Sequence, residues 1–208
     1  MNYYPAFLNL QGKKAVVVGG GSIAERKILS LLKAGAAVTV VSPAITARLR
    51  KEKEKKSLTH IARSYRKGDL RESVLVIAAT NSPSVNTQIA ADAPFLVNVV
   101  DVPKECSFIA PSVIKRGPLT IAISTGGISP AFSKTIRQEL EKIYGQEIGE
   151  YLKFVGSIRK KALAGISDTK KRSRFLKDLA SGKILQSLRA KGFQVVRKAI
   201  EEKLAKLI

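Results

Sequence analysis

VVVGGGSIAERK, residues 16–27, decides how the rest of the chain is read. Three consecutive glycines are costly in ordered structure, because glycine loses the most backbone freedom on folding. Here they separate an apolar run of strand length from a segment of helical periodicity, with Ile23, Ile28, Leu31 and Leu32 on one side. Gly19-x-Gly21-x-x-Ala24 has the spacing of a dinucleotide fingerprint. In that pattern the first small residue permits a tight turn, the second lets backbone approach a pyrophosphate, and the third allows close packing of helix on strand. Gly20 lies within the turn, and the amides near Ser22 and Ile23 would face an anion at a helix N-terminus. The spacing gains weight from its context, a buried strand before it at Lys14–Val18 and a second after the helix at Ala37–Val41. The competing reading is a doubly wound domain without a nucleotide.

Outward from this turn, the pattern predicts a helix over 22–34 closed by Gly35, and a charged, largely exposed helix over 44–56. Strands follow over 58–65 and 74–79, then a helix from Ser82-Pro83 to Asp92 and a strand over 95–100. Apolar strands alternating with helices indicate a parallel sheet covered on both faces, a Rossmann-like α/β unit. After Asp101 the pattern changes. Residues 108–115 and 119–125 flank Arg116-Gly117-Pro118 without room for a helix, and read as a hairpin. Ser129-Pro130 then opens a helix with Phe132, Ile136, Leu140 and Ile143 on one face. From Gln146 the chain reads as helical, with breaks at 168–174 and at Ser181-Gly182. The expected division is residues 1–111 for the Rossmann-like domain, 112–145 for a hairpin-plus-helix dimerisation unit and 146–208 for a basic, all-helical domain.

Composition narrows the function. A 45% hydrophobic content supports a core, and no apolar run reaches membrane-spanning length. The N-terminus lacks the charged start and apolar stretch of a secretory signal, so a soluble cytoplasmic protein is expected. One cysteine, Cys106, and one histidine, His60, argue against a disulfide framework and against a protein-built metal site. The formal charge is +21, and residues 151–208 carry 16 basic and 4 acidic residues. Such a field attracts polyanions. The tail's aromatics, Tyr151, Phe154, Phe175 and Phe193, sit mostly at helix-core spacing rather than interleaving with the basic residues, so nucleic acid is not the expected partner.

Three groups of residues suggest chemistry. At the end of the second strand, where an acidic residue usually holds the ribose hydroxyls, the chain reads VVSPA. Ser42 and the backbone at Pro43-Ala44 would serve instead. Arg48 is the nearest candidate for a 2′-phosphate, and NAD is favoured over NADP. Thr80-Asn81 and Asp101 end the fourth and fifth strands at the edge where open α/β sheets bind ligands. Asp101 reads either as a general base beside the nicotinamide or as a residue shaping the turn before Pro103. Ser124, Thr125 and Gly126, in ISTGGISPAF, would present small residues and backbone to a substrate or a second subunit. His60 lies in a charged segment read as exposed. Cys106 has Lys104 nearby but no histidine to activate it, so a nucleophilic role carries little weight.

PAFLNLQGKKAVVVGGGSIAERKILSLLKAGAAVTVVSP (5–43) and VNVVDVPKECSFIAPSVIKRGPLTIAISTGGISP (97–130) resemble the siroheme-synthase family. Its members are precorrin-2 dehydrogenases, some of which are also sirohydrochlorin ferrochelatases. GGGxxAxRK, NVVD and STGGxSP, in that order, carry the likeness, which runs from Pro5 to about Leu140; the basic tail matches in character only. The resemblance implies NAD-dependent oxidation of precorrin-2 to sirohydrochlorin, with cofactor contacts at Ser22-Ile23 and around Pro43-Ala44. It implies that Asp101 is the critical catalytic residue, and that the hairpin-plus-helix unit builds a homodimer with the active site near the dimer cleft. That family also lacks the acidic ribose residue, and some members have serine where this chain has Thr125. A fused methyltransferase domain, present in some relatives, is not expected. The implied substrate carries eight carboxylates, which suits a basic protein. Iron insertion would proceed with a carboxylate such as Asp101 taking pyrrole protons. The alternative reading is a non-catalytic NAD-sensing module.

Overall fold

The computed structural model describes residues 3–208. The chain forms two compact units, the first ending at Ala110 and the second running Pro111–Ile208. In the first unit β1 (Lys14–Val18), β2 (Ala37–Val41), β3 (Leu58–Ile61), β4 (Leu75–Ala78) and β5 (Leu96–Val99) make a parallel sheet in the order β3-β2-β1-β4-β5. Helices α1 (Ser22–Lys33), α2 (Ala47–Glu54) and α3 (Pro83–Asp92) connect the strands. Residues 15–18 of β1 and all of β4 are buried, as strands covered on both faces must be. On one face Ala15, Val17, Val38, Val40 and Ile77 pack with Ala24, Ile28 and Leu31 of α1 and Leu49 of α2. On the other, Val16, Val18, Val76, Ala78 and Val99 pack with Ile89 of α3. Val18 pairs with both Val41 and Ala78, and Ala78 with Val99. The carboxyl ends of four strands are therefore level. Chain order reverses between β1 and β4, which opens a crevice at that edge.

Several expected boundaries move. α2 begins at Ala47 rather than Ala44, because Thr46 caps it, its Oγ1 accepting from Leu49 N at 3.2 Å. Residues 43–45 instead close over the glycine turn, and Thr46 N donates to Gly20 O at 3.2 Å. β3 stops at Ile61, where Arg63 N turns back to the Ile61 carbonyl at 2.9 Å. His60 is half-buried rather than exposed, with Nε2 2.9 Å from the Ser42 carbonyl oxygen.

In the second unit β6 (Ser112–Arg116) and β7 (Leu119–Ile123) form the antiparallel hairpin. Residues 108–111 stay outside it, since Phe108 N donates to Val97 O and its carbonyl accepts from Asn98. Helix α4 (Pro130–Ile143) packs on the hairpin, followed by α5 (Gln146–Gly165), α6 (Thr169–Asp178), α7 (Gly182–Lys191) and α8 (Phe193–Ala205). Arg116 Nε donates to the Tyr144 carbonyl at 2.9 Å, satisfying an otherwise open acceptor at the end of α4. The helical core joins Tyr151, Ile158 and Ala162 of α5 to Phe175, Leu188, Val196 and Ile200. The expected break at 168–174 is mostly helix. The interruption falls at residues 166–168, and Asp168 caps α6 by accepting from Lys170 N and Lys171 N. On α8, Val196, Ile200 and Leu204 are buried, while Val195 is 54% exposed. Among the described residues no helix is long and apolar enough to cross a membrane.

Candidate functional site

A cleft of about 860 Å³ lies at the carboxyl edge of the first unit's sheet. Gly19, Gly20, Gly21, Ser22 and Ile23 form one wall. Ser42 and Pro43 close the β2 end, Thr80 and Asn81 the β4 end, and Asp101 stands past β5. The cleft thus gathers residues far apart in the chain, from Val18 to Asp101. Ser64 and Tyr65, between β3 and β4, complete it; neither stood out in the sequence.

The three glycines have different reasons to be glycine. Gly19 has φ +125°, and a Cβ there would lie 2.2 Å from the Ala79 carbonyl oxygen. A Cβ on Gly20 would lie 2.0 Å from the Ala44 carbonyl oxygen. Both are demands of the fold. At Gly21 the backbone is extended (φ −79°), and nothing lies within 4 Å of an added Cβ. The protein itself gives no steric reason for glycine there. A group entering from the cleft would have room to approach the backbone there. α1 also starts without a side-chain cap, which leaves its N-terminal end directed at that approaching group. These features suit an anionic bridge such as a pyrophosphate.

The remaining walls are fixed by polar contacts. Thr80 is gripped by buried Asn86 of α3, whose Oδ1 accepts from Thr80 N at 3.2 Å and from Thr80 Oγ1 at 2.7 Å. The Asn86 Nδ2 returns a bond to the Thr80 carbonyl at 3.1 Å. Ser42 Oγ donates to the Ala44 carbonyl at 2.7 Å, so Ala44 backs the glycine turn rather than lining the cleft. Arg48, the candidate for a 2′-phosphate, is 65% exposed and 4.0 Å from Glu25. Tyr65 donates to Asp92 Oδ2 at 2.8 Å; burial, then this bond, push its phenol pKa well up. The Tyr65 loop is clamped by Asp69, which takes two bonds from the Arg63 guanidinium (2.8 and 2.7 Å) and one from Arg66 N (2.8 Å).

Asp101 is exposed and has φ +62°. Aspartate is among the few non-glycine residues that tolerate the left-handed region, at some cost in strain. The turn is tied down on both sides. Val102 N donates to Val99 O at 3.3 Å, and Cys106 Sγ lies 3.2 Å from both Val99 N and Val99 O. The thiol is therefore part of the scaffold. Beside it, Asn98 on β5 accepts from Lys27 Nζ of α1 at 3.2 Å. Lys27 and Asn98 both lie within the motifs quoted from the sequence, yet neither was singled out. A polar residue inside the apolar strand LVNV was the available signal.

Ser124, Thr125 and Gly126 lie in the second unit, in the β7–α4 loop. Thr125 Oγ1 accepts from Ser129 N at 3.1 Å and lies 3.0 Å from Ser129 O and 3.1 Å from Ser133 Oγ, so its hydroxyl helps build the start of α4. Ser124 and Gly126 are exposed, and Ser124 Oγ accepts from Gly126 N at 3.0 Å.

A family model described as putative NAD(P)-binding matches residues 6–112, and one described as the central part of a sirohaem biosynthesis protein matches 116–143. A siroheme synthase of Thioalkalivibrio sulfidiphilus is 36% identical over 207 residues, covering 98% of this chain and 42% of its own length. Siroheme synthase 3 of Aeromonas hydrophila is 38% identical over 195 residues, covering 92% of this chain and 42% of its own. The chain thus spans less than half the length of these curated relatives. Among solved structures, SirC, a precorrin-2 dehydrogenase, superimposes with a TM-score of 0.84 at 28% identity, over 98% of this chain and 100% of its own. The chain belongs to the putative NAD(P)-binding family, joined to a sirohaem-biosynthesis central segment.

Proposed function

We propose that this member of the NAD(P)-binding family uses NAD to oxidise precorrin-2 to sirohydrochlorin in siroheme biosynthesis. The observation that carries the reading is one cleft that unites an open approach over Gly21 with a carboxylate, Asp101, held in a left-handed turn. Gly21, Ser22 and Ile23 would hold the pyrophosphate at the start of α1. Ser42 and Pro43, backed by Ala44, would hold the adenosine side, and Thr80 the nicotinamide side. Bound NAD supplies a hydride acceptor. Asp101 would take the proton that leaves the macrocycle with that hydride. The curated relatives' name and that of the structural neighbour support this substrate.

Ser124, Thr125 and Gly126 would meet the substrate or a second subunit. A homodimer is part of the reading, supported by apolar residues left exposed on the hairpin, on α4 and in the loop between them: Val113 (46%), Phe132 (58%), Ile143 (44%) and Ile128 (90%). The reading includes a cytoplasmic location. The deciding experiment incubates the protein with precorrin-2 and NAD⁺ and follows NADH and sirohydrochlorin formation. Stoichiometric appearance of both is expected. Tight NAD binding without turnover would overturn the enzymatic reading in favour of an NAD-sensing module.

A further inference from the structure

The inward stripe of α1 should be apolar throughout. Ala24, Ile28 and Leu31 are buried on it, and Lys27 stands on the same side, three residues after Ala24 and four before Leu31. An ammonium there forfeits hydration. Burial is the main cause of its lowered proton affinity, and repulsion from Arg26 adds to it. A methionine of similar length would carry no such penalty. The contacts on the page say what opposes the loss. Lys27 Nζ donates to Asn98 Oδ1 at 3.2 Å, its one hydrogen bond among the described residues. Asn98 is only 7% exposed, in the middle of β5. Its Nδ2 donates to the Phe108 carbonyl at 3.1 Å and lies 3.5 Å from Cys106 Sγ. Cys106 closes back onto Val99 and Val102, with its sulfur 3.2 Å from the Val99 carbonyl oxygen and 3.4 Å from that of Val102. The turn so enclosed carries Asp101. The negative charge of Asp101, in the loop after β5, acts on Lys27 against burial and against Arg26.

We propose that Lys27 is a positioning residue for the Asp101 turn, holding it through Asn98 and Cys106 by hydrogen bonds and through its ammonium by charge. Lys27 does not line the cleft and, on this account, does not touch the reacting atoms; it acts through Asp101. The turnover arm of its test rests on the proposed reaction, whereas the titration arm does not.

In the titration arm, lysine side chains labelled at Cε are followed by NMR in the NAD-free protein, with the Lys27 signal assigned by its disappearance in Lys27→Arg. The Lys27 midpoint should fall in Asp101→Asn, because the carboxylate that favours the ammonium is gone. An unchanged midpoint would overturn the proposal. In the turnover arm, Lys27→Met should lower kcat by roughly tenfold to a hundredfold, with NAD affinity and the KM for precorrin-2 held, and Lys27→Arg should restore most of it. Weakened NAD binding with kcat intact would mean the stem merely packs, and would also overturn it. If Lys27→Met does not fold, the titration still decides. A wild-type protein without any turnover would sink the proposed reaction and leave the titration result standing.

Discussion

Asp101 shares its left-handed backbone with only Lys56 and Glu72 among the described non-glycine residues, and neither of those lines the cleft. Asparagine tolerates that conformation as well as aspartate does, so Asp101→Asn removes the base without straining the turn. Under the proposed reaction it should keep fold and NAD affinity and lose turnover by on the order of 10² to 10⁴. Steady-state kinetics beside calorimetric NAD titration would separate the two; near wild-type turnover would leave the carboxylate as a shaper of its loop. The glycine turn offers a second contrast between neighbouring residues. Gly19→Ala places a Cβ 2.2 Å from the Ala79 carbonyl oxygen at a φ of +125°, and should lower Tm before any ligand is added. Gly21→Asp meets open space in the protein and should fold normally, while its side chain and charge abolish NAD binding. Wild-type NAD affinity in Gly21→Asp would remove the pyrophosphate from this turn.

Elements, rather than residues, govern the loop and the hairpin. The β3–β4 loop that brings Ser64 and Tyr65 to the cleft is clamped by Asp69, whose carboxyl the Arg63 guanidinium holds below the usual carboxylate range, helped by Arg66 N and opposed by burial. A depressed folded pKa adds stability above the unfolded value of about 3.9 and loses it as pH falls through the folded value. Melting curves from neutral to about pH 3 should therefore show a steeper acid decline in the wild type than in Asp69→Asn, which starts lower and changes less. Equal slopes would mean that the clamp does not outlast solvent screening. Helix α4 leads to a different test. Its stripe is half exposed at Phe132 and Ile143, and Ile128 just before it is 90% exposed. Sedimentation at micromolar concentration should show a dimer that Phe132→Glu dissociates, and a monomeric wild type would refute this. Most elements were legible because their signals are local: apolar runs for β1, β2 and β4, Ser82-Pro83 for α3, and the glycine turn for the switch point. What escaped depends on contacts between distant residues. Lys27 gave no signal in the sequence, and only the fold brings Asn98, 71 residues on, against it. Cys106 looked like a lone thiol until its loop folded back on Val99. The charged run at 168–174 looked like a break because its basic residues masked Phe175 and Leu179, which seat α6 in the core.

At the scale of the whole molecule, charge is the dominant feature. With 37 Lys and Arg against 16 Asp and Glu, the chain carries a formal +21. Few of these cations are neutralised by neighbours: the ion pairs among the described residues include Arg63–Asp69, Arg137–Glu141 and Lys203–Asp178, and most basic side chains have no acidic partner. The self-repulsion of such a surface destabilises the compact state, so the field needs a compensating use. Under the proposed reaction a tetrapyrrole with eight carboxylates would provide one, because a long-range field raises the rate of encounter without adding a contact in the transition state. Screening acts over about 10 Å at 0.1 M salt and about 3 Å at 1 M. It should therefore weaken capture of the polyanion far more than chemistry within the cleft. Raising salt across this range should increase the KM for precorrin-2 while leaving kcat nearly unchanged. Charge-reversal of exposed basic residues on α6, such as Lys170→Glu with Lys177→Glu, should reproduce part of that increase at low salt and flatten the remaining salt dependence. The measurement is a KM series against ionic strength for both proteins. A KM that ignores salt in the wild type would refute steering. Tight DNA binding at physiological salt, lost in the same charge-reversed protein, would instead assign the field to nucleic acid.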